Sequence, residues 1–265
     1  VADILQQSSL SKFKIGCLAV AALLASIACS RLIDTNPTPF QFPLEFEDMP
    51  MNPSSALMAR YKVAFRGMLC GNYSVHFATC GALLGLALGV MGATRNNALS
   101  NAQAILGGVV GGALLAGLGG FLLGQIAALG IENDWQTTRL FGFQVDPFIQ
   151  TTLLQCFIWA CVGIGIGLGC TIPSISLARI LEGIQGGLIG GVMAGTLYSV
   201  IAAVFFSTSS AIDFVPKESM ERTVWAILCG LSVYAGLVFA LKSTASVNTT
   251  KGSEELLTSQ SIATS

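Results

Sequence analysis

Charge is scarce in this chain. Asp, Glu, Lys and Arg together make up 10% of its 265 residues, against 53% hydrophobic ones. Soluble domains carry about 25% charged residues, so this surface cannot be one that faces water throughout. Nor is there a basic excess: the formal net charge is -1, which excludes an electrostatic footprint for nucleic acid. Histidine occurs once, as His76, with no acidic neighbour, and that builds no metal site. The cysteines (Cys17, Cys29, Cys70, Cys80, Cys156, Cys161, Cys170 and Cys229) form no CxxC pair and nearly all lie in apolar runs. They read as small, soft packing residues rather than a disulfide framework or a zinc site. No arrangement of Ser, Cys and His resembles a catalytic triad. The run Gly163-Ile-Gly165-Ile-Gly167-Leu-Gly169 has no Lys-Ser/Thr and is no phosphate loop. The sequence therefore argues against an enzyme, and it implies no cofactor.

What is present is long, continuous apolar runs. A bilayer-spanning helix needs roughly 20 such residues, and continuous runs favour helices over the alternating strands of a barrel. The expected fold is all-α: a polytopic transmembrane bundle of about six spans, with the lipid bilayer as its first partner. The first run, Ile15 to Ser30, follows Lys12 and Lys14 and precedes Arg31. It fits either a signal anchor or a signal peptide, with Ser26-Ile27-Ala28 before Cys29 as a cleavage-like site. The other spans are read at Met68–Ala93, Ala102–Ala128, Phe148–Thr171, Ile175–Phe206 and Thr223–Leu241. Arg95, Asn96 and Asn97 fill one short turn, and Pro173 with Ser174, a helix break and an N-cap, another. Trp135, Trp159 and Trp225 are expected at span ends, as aromatic belt residues.

Four regions follow. Residues 1–33 are the N-terminal segment with the signal anchor or signal peptide. Residues 34–66 are a loop rich in proline and acid, then a basic juxtamembrane stretch with Arg60, Lys62 and Arg66 able to touch lipid phosphates. Ser54 or Ser55 would cap a restarted helix there. Residues 67–241 are the transmembrane bundle. Residues 242–265 form a Ser/Thr-rich tail, expected to be disordered.

Small residues recur every fourth position in two spans. They are Ala104, Gly108, Gly112, Ala116, Gly120, Gly124 and Ala128 in one, and Gly183, Gly187, Gly191, Gly195, Ser199 and Ala203 in the other. A shift of 79 residues superposes the two series, and a shift of 78 places Gly85 and Gly89 on Gly163 and Gly167. The pattern reads as a duplicated helical hairpin, about 76–128 and 155–207, followed by the last span at 223–241. Each unit has two spans, so the repeat is parallel. Small residues at i, i+4 let helix backbones approach in lipid, where no hydrophobic effect drives helices together. The expectation is tight packing between the third and fifth spans. The alternative is contact with a further copy of the chain or with a membrane protein partner.

Ionisable groups in a membrane are costly and so are default functional candidates. Glu182 follows Arg179 by three positions, which suits an interfacial ion pair. Under the 79-residue shift it also falls opposite Gln103, and the two could hold a proton or cation between them. His76 reads as a hydrogen-bonded packing residue, and Gln125, Gln155 and Gln185 as bonds between helices. Lys and Arg divide almost evenly between the two sides; the lysines before the first span and the longer acidic loops opposite favour both termini in the cytoplasm.

The second half carries Phe157-Ile-Trp-Ala-Cys-Val-Gly163, Ala178-Arg179, Gly186-Gly-Leu-Ile-Gly-Gly191, Tyr198, Phe205-Phe206 and a last span starting near Arg222. This pattern resembles that of uncharacterised Gly-rich membrane proteins of planctomycete-type bacteria, over about Ala64 to Leu241. The resemblance implies a helical fold and a multi-pass protein of the bacterial cytoplasmic (inner) membrane. It implies no activity. Two functions are consistent with these features: a non-enzymatic scaffold or interaction protein, and a small transporter or channel built around Gln103 and Glu182.

Overall fold

The computed structural model describes residues 2–46, 54–92, 98–132, 139–140, 143–144, 146–172, 176–206 and 214–240. The fold is all-helical. Its helices are α1 (Ala2–Thr35), α2 (Ser55–Gly92), α3 (Ala98–Glu132), α4 (Pro147–Thr171), α5 (Leu177–Phe205) and α6 (Ser219–Ala240). A 3₁₀ turn at Leu44–Phe46 and a two-residue antiparallel ladder, Arg139↔Gln144 and Leu140↔Phe143, are the other regular elements among the described residues. Each of the six helices contains a stretch long and apolar enough to cross a membrane, from Ile15–Thr35 to Ser219–Ala240, and the chain is a multi-pass membrane protein.

The helices begin where local chemistry allows. Ser54 caps α2 by accepting a hydrogen bond from the Leu57 amide at 3.2 Å. Asp146 caps α4 in the same way, through the Phe148 amide at 2.8 Å, with Pro147 in the first turn, where its missing amide hydrogen costs nothing. Helix α5 starts at Leu177 with Ser176 in the cap position. The proposed cap Ser174, the turn at Arg95–Asn97, Trp135 and the tail 242–265 lie outside the described residues.

The chain packs in sequence order: α2 on α3, α3 on α4, α4 on α5, and α6 against α5, with α1 on α2. Helices α4 and α6 are the most enclosed of the spans. This corrects the expectation that the third and fifth spans pack together, because α4 stands between α3 and α5. The small residues are spent on sequence neighbours instead. Gly108 and Gly112 of α3 lie against Gly85 and Gly81 of α2. Gly183 and Gly187 of α5 lie against Gly167 and Gly163 of α4, and Gly191 and Gly195 against Trp159 and Cys156. A second face of α3, Gly107 and Gly111, meets Gly169 and Gly165 of α4. Ala116, Gly120, Gly124 and Ser199 continue the same faces and are buried.

The tryptophans are a further correction. Trp159 and Trp225 are buried in the core, with ring centroids 5.2 Å apart, and Phe77 lies 6.2 and 5.8 Å from them. The three large rings stack edge to face at one point, and both indole N–H groups are buried there without a hydrogen-bond partner among the described residues. Leu106, Leu114, Leu118, Val200 and Val204 are exposed instead, the surface that acyl chains cover.

Candidate functional site

Polar side chains converge where α1 ends and α6 begins. Arg222, one turn into α6, is only 5% exposed. Its Nη1 donates to Asp34 Oδ1, its Nε to Pro216 O at 2.7 Å and its Nη2 to Lys217 O at 2.6 Å. Asp34, in the last turn of α1, also accepts from Ser219 Oγ at 2.7 Å and lies 3.5 Å from Arg31 Nη1. A rigid guanidinium fork suits this enclosure, because its donors can be met without hydration. Next to it Glu221, equally enclosed, accepts from Tyr198 Oη of α5 at 2.9 Å, and Ser30 Oγ lies 2.9 Å from Thr223 Oγ1. The first turn and a half of α6 is thereby tied to both α1 and α5.

Beneath this cap the loop after α1 is held by single side chains. Asn72 of α2 makes a two-bond pair with the Phe40 backbone, accepting from its N–H at 2.8 Å and donating to its carbonyl at 3.1 Å. His76, 6% exposed, places Nε2 3.3 Å from Asn36 O, so the ring carries its proton there when it donates. Gln155 Nε2 donates to Phe214 O at 3.0 Å, and Gln125 Nε2 to Cys70 Sγ at 3.1 Å. Gln185 is exposed and makes no such bond among the described residues, because its position on α5 faces away from both α4 and α6.

One turn deeper, Cys29 of α1 and Cys80 of α2 form a disulfide with Cα atoms 5.5 Å apart. This corrects the reading of all eight cysteines as packing residues. The pair is 51 residues apart in sequence, and only the packing of α1 on α2 brings it together. The other cysteines are free thiols. Denatured protein is therefore expected to take up six maleimide groups without reductant and eight with it, read by intact mass. Eight in both cases would show that the bond is not formed.

The remaining sequence candidates are dispersed. Gln103 is exposed at the start of the α3 span, Arg179 is exposed in the first turn of α5, and Glu182 is half-buried. Among the described residues no hydrogen bond or ion pair joins Arg179 to Glu182, or Gln103 to Glu182. An exposed pair gains little from forming, and α4 separates the helices of Gln103 and Glu182. No group of three metal-ligating side chains occurs among the described residues. Sequence reasoning missed the Asp34–Arg222 pair because 188 positions separate its members. The available signal was a basic residue, Arg222, beside the start of the last span.

No family model matches the chain, and no curated protein or solved structure matches it either.

Proposed function

We propose that this chain is a non-enzymatic scaffold or interaction protein, packed through glycine zippers, that engages a membrane protein partner at the segment preceding its second span. The observation that carries this reading is an ordered module on α2. The candidate span within α2 runs 36 residues, about 54 Å at 1.5 Å per residue, while a bilayer core is about 30 Å thick. Arg60, Lys62 and Arg66 put the surplus at its N-terminal end. The loop 36–46 folds back on this surplus through stacked and edge-on rings. Phe42 lies 5.1 Å from Tyr61 and 5.4 Å from Phe46, and Tyr61 lies 6.1 Å from Phe65. Arg60 Nη2 holds both carboxylate oxygens of Glu45 at 2.9 Å. The module keeps Leu44 78% and Val63 74% exposed. Apolar side chains on a pre-ordered support are what a docking surface requires, since little ordering entropy remains to be lost.

A duplicated hairpin underlies the bundle in this reading. Its support is that Gly85 meets Gly108 as Gly163 meets Gly187, residues related by shifts of 78 and 79. The termini are assigned to the cytoplasm. The Cys29–Cys80 bond supports this, since Cys29 lies within two turns of the loop end of α1 and disulfides persist where that side meets an oxidising compartment. The resemblance noted above points to a bacterial cytoplasmic membrane.

The test is purification in a mild detergent, with particle mass and co-purifying proteins read by mass spectrometry. A stoichiometric partner is expected, and Leu44→Asp with Val63→Asp should remove it without changing the thermal midpoint of the chain. A lone particle in every detergent, together with ion flux that Glu182→Gln abolishes, would overturn the proposal in favour of a transporter.

A further inference from the structure

A groove of about 760 Å³ runs along the face shared by α3 and α4, with Gln103, Val110, Leu114 and Leu115 on one side and Leu168 and Ile172 on the other. Its floor is formed where Gly107 and Gly111 bring α3 onto the backbone of α4. No third helix lines it among the described residues. It therefore opens sideways, into the space that surrounds the bundle.

Three features define what would fill it. First, it is apolar throughout except for one amide, Gln103, and that amide sits at the end where the α3 span starts and the α4 span ends. Second, it extends along α3 from Gln103 to Leu115, about 18 Å at 1.5 Å per residue, which matches one leaflet of a core about 30 Å thick. Third, it stops there. Below Leu115, Gly119 closes onto Ile158 and Cys161 of α4, and Leu118, Phe121 and Leu122 project outward. A groove one leaflet long offers a transmembrane helix from a second copy only a short crossing contact. A polar end at the interface and an apolar tail one leaflet long describe an amphiphile.

We propose that this groove is a binding site for an acyl chain of a glycerophospholipid, drawn from the leaflet at the Gln103 end, with the Gln103 amide donating to an ester carbonyl. The inference rests on the chain residing in a membrane and is independent of the scaffold reading. The site retains its lipid while neighbouring boundary lipids exchange.

The test uses the full chain reconstituted in vesicles of phosphatidylethanolamine and phosphatidylglycerol, with a tracer phospholipid carrying a photoactivatable diazirine in one acyl chain. Adducts mapped by peptide mass spectrometry are expected on 103–115 and 168–172 at about tenfold the density found on the lipid-facing residues of α5, Leu188 to Val204. Val110→Trp with Leu114→Trp fills the groove and should bring that density down to the α5 level, leaving the α5 adducts and the thermal midpoint unchanged. Equal labelling of α3 and α5 in the unsubstituted protein would overturn the proposal, leaving boundary lipid only. So would labelling below the α5 level together with cross-linked dimers through Leu106→Cys, which would place a second copy on this face.

Discussion

Replacing Arg222 by alanine is expected to cost about 3–5 kcal/mol of unfolding free energy, the range seen when one partner of a buried ion pair is removed. The loss would have several parts. Asp34 would keep a carboxylate, at 20% side-chain exposure, with Ser219 as its remaining close donor and Arg31 at longer range. The carbonyls of Pro216 and Lys217 would each lose a charged donor, and those hydrogen bonds are roughly twice as strong as neutral ones. The connection that delivers the chain into α6 would then lose its fastening to α1. The natural control is Arg60→Ala. Its pair with Glu45 is equally well aligned, but the side chains are 64% and 52% exposed, so about 0–1 kcal/mol is expected. Thermal or denaturant unfolding in one detergent, followed by circular dichroism, reads both. The double substitution Asp34→Ala with Arg222→Leu should recover much of the loss, because the uncompensated charge goes with its partner. If Arg222→Ala unfolded within about 1 kcal/mol of the unsubstituted chain, the pair would not be the fastening described.

The spans themselves were legible in the sequence, because length and apolar composition are local properties. The sequence places the fourth span at Phe148–Thr171, where it is found, and the fifth at Ile175–Phe206, where the helix runs Leu177–Phe205. Which faces meet was not legible. A glycine every fourth residue says that one face of α3 is bare, but α2, α4 and α5 carry glycines too. The choice among them depends on the order in which the helices stand. Few residues separate α2 from α3 and α4 from α5 in the sequence, which favours packing between sequence neighbours, and a symmetry argument alone does not see this. For the same reason the Gln103 and Glu182 positions correspond under the 79-residue shift without standing together. The Cys29–Cys80 bond and the Asp34–Arg222 pair join residues 51 and 188 positions apart, beyond any spacing rule. His76 was legible as a hydrogen-bonded residue because a lone imidazole in an apolar run must find some partner. That its partner is the Asn36 carbonyl follows only from the loop's return over α2.

The glycine contacts make the sharpest quantitative expectation, because the structure ranks them. A Cβ built on Gly163 would fall on the Gly187 carbonyl, and one on Gly187 would fall on the Gly163 carbonyl. Both obstacles are backbone, so no rotamer change relieves them, and the helices must separate along their length. Separation forfeits the dispersion contacts that hold helices together in lipid. Gly163→Ala is therefore expected to cost about 1–3 kcal/mol, the usual penalty for overpacking, even after the gain of about 1 kcal/mol that alanine brings to a helix. Gly163→Leu should prevent the α4–α5 pair from forming. Gly71 offers an instructive middle case. Its Cβ would meet the Phe40 ring at 2.6 Å, but that ring is 48% exposed on a loop and can turn aside, so the net change should be near zero. Gly67 has nothing within 4 Å, and Gly67→Ala should stabilise by up to about 1 kcal/mol. The pair Gly163→Ala with Gly187→Ala should cost less than the two single changes together, since one separation of the helices accommodates both methyl groups. Unfolding midpoints for this set, in a single detergent, test the order Gly67, Gly71, Gly163 from gain to loss. Equal midpoints for Gly67→Ala and Gly163→Ala would mean that α4 and α5 do not approach backbone to backbone. In that case the periodic small residues would have to serve a surface outside the hairpin.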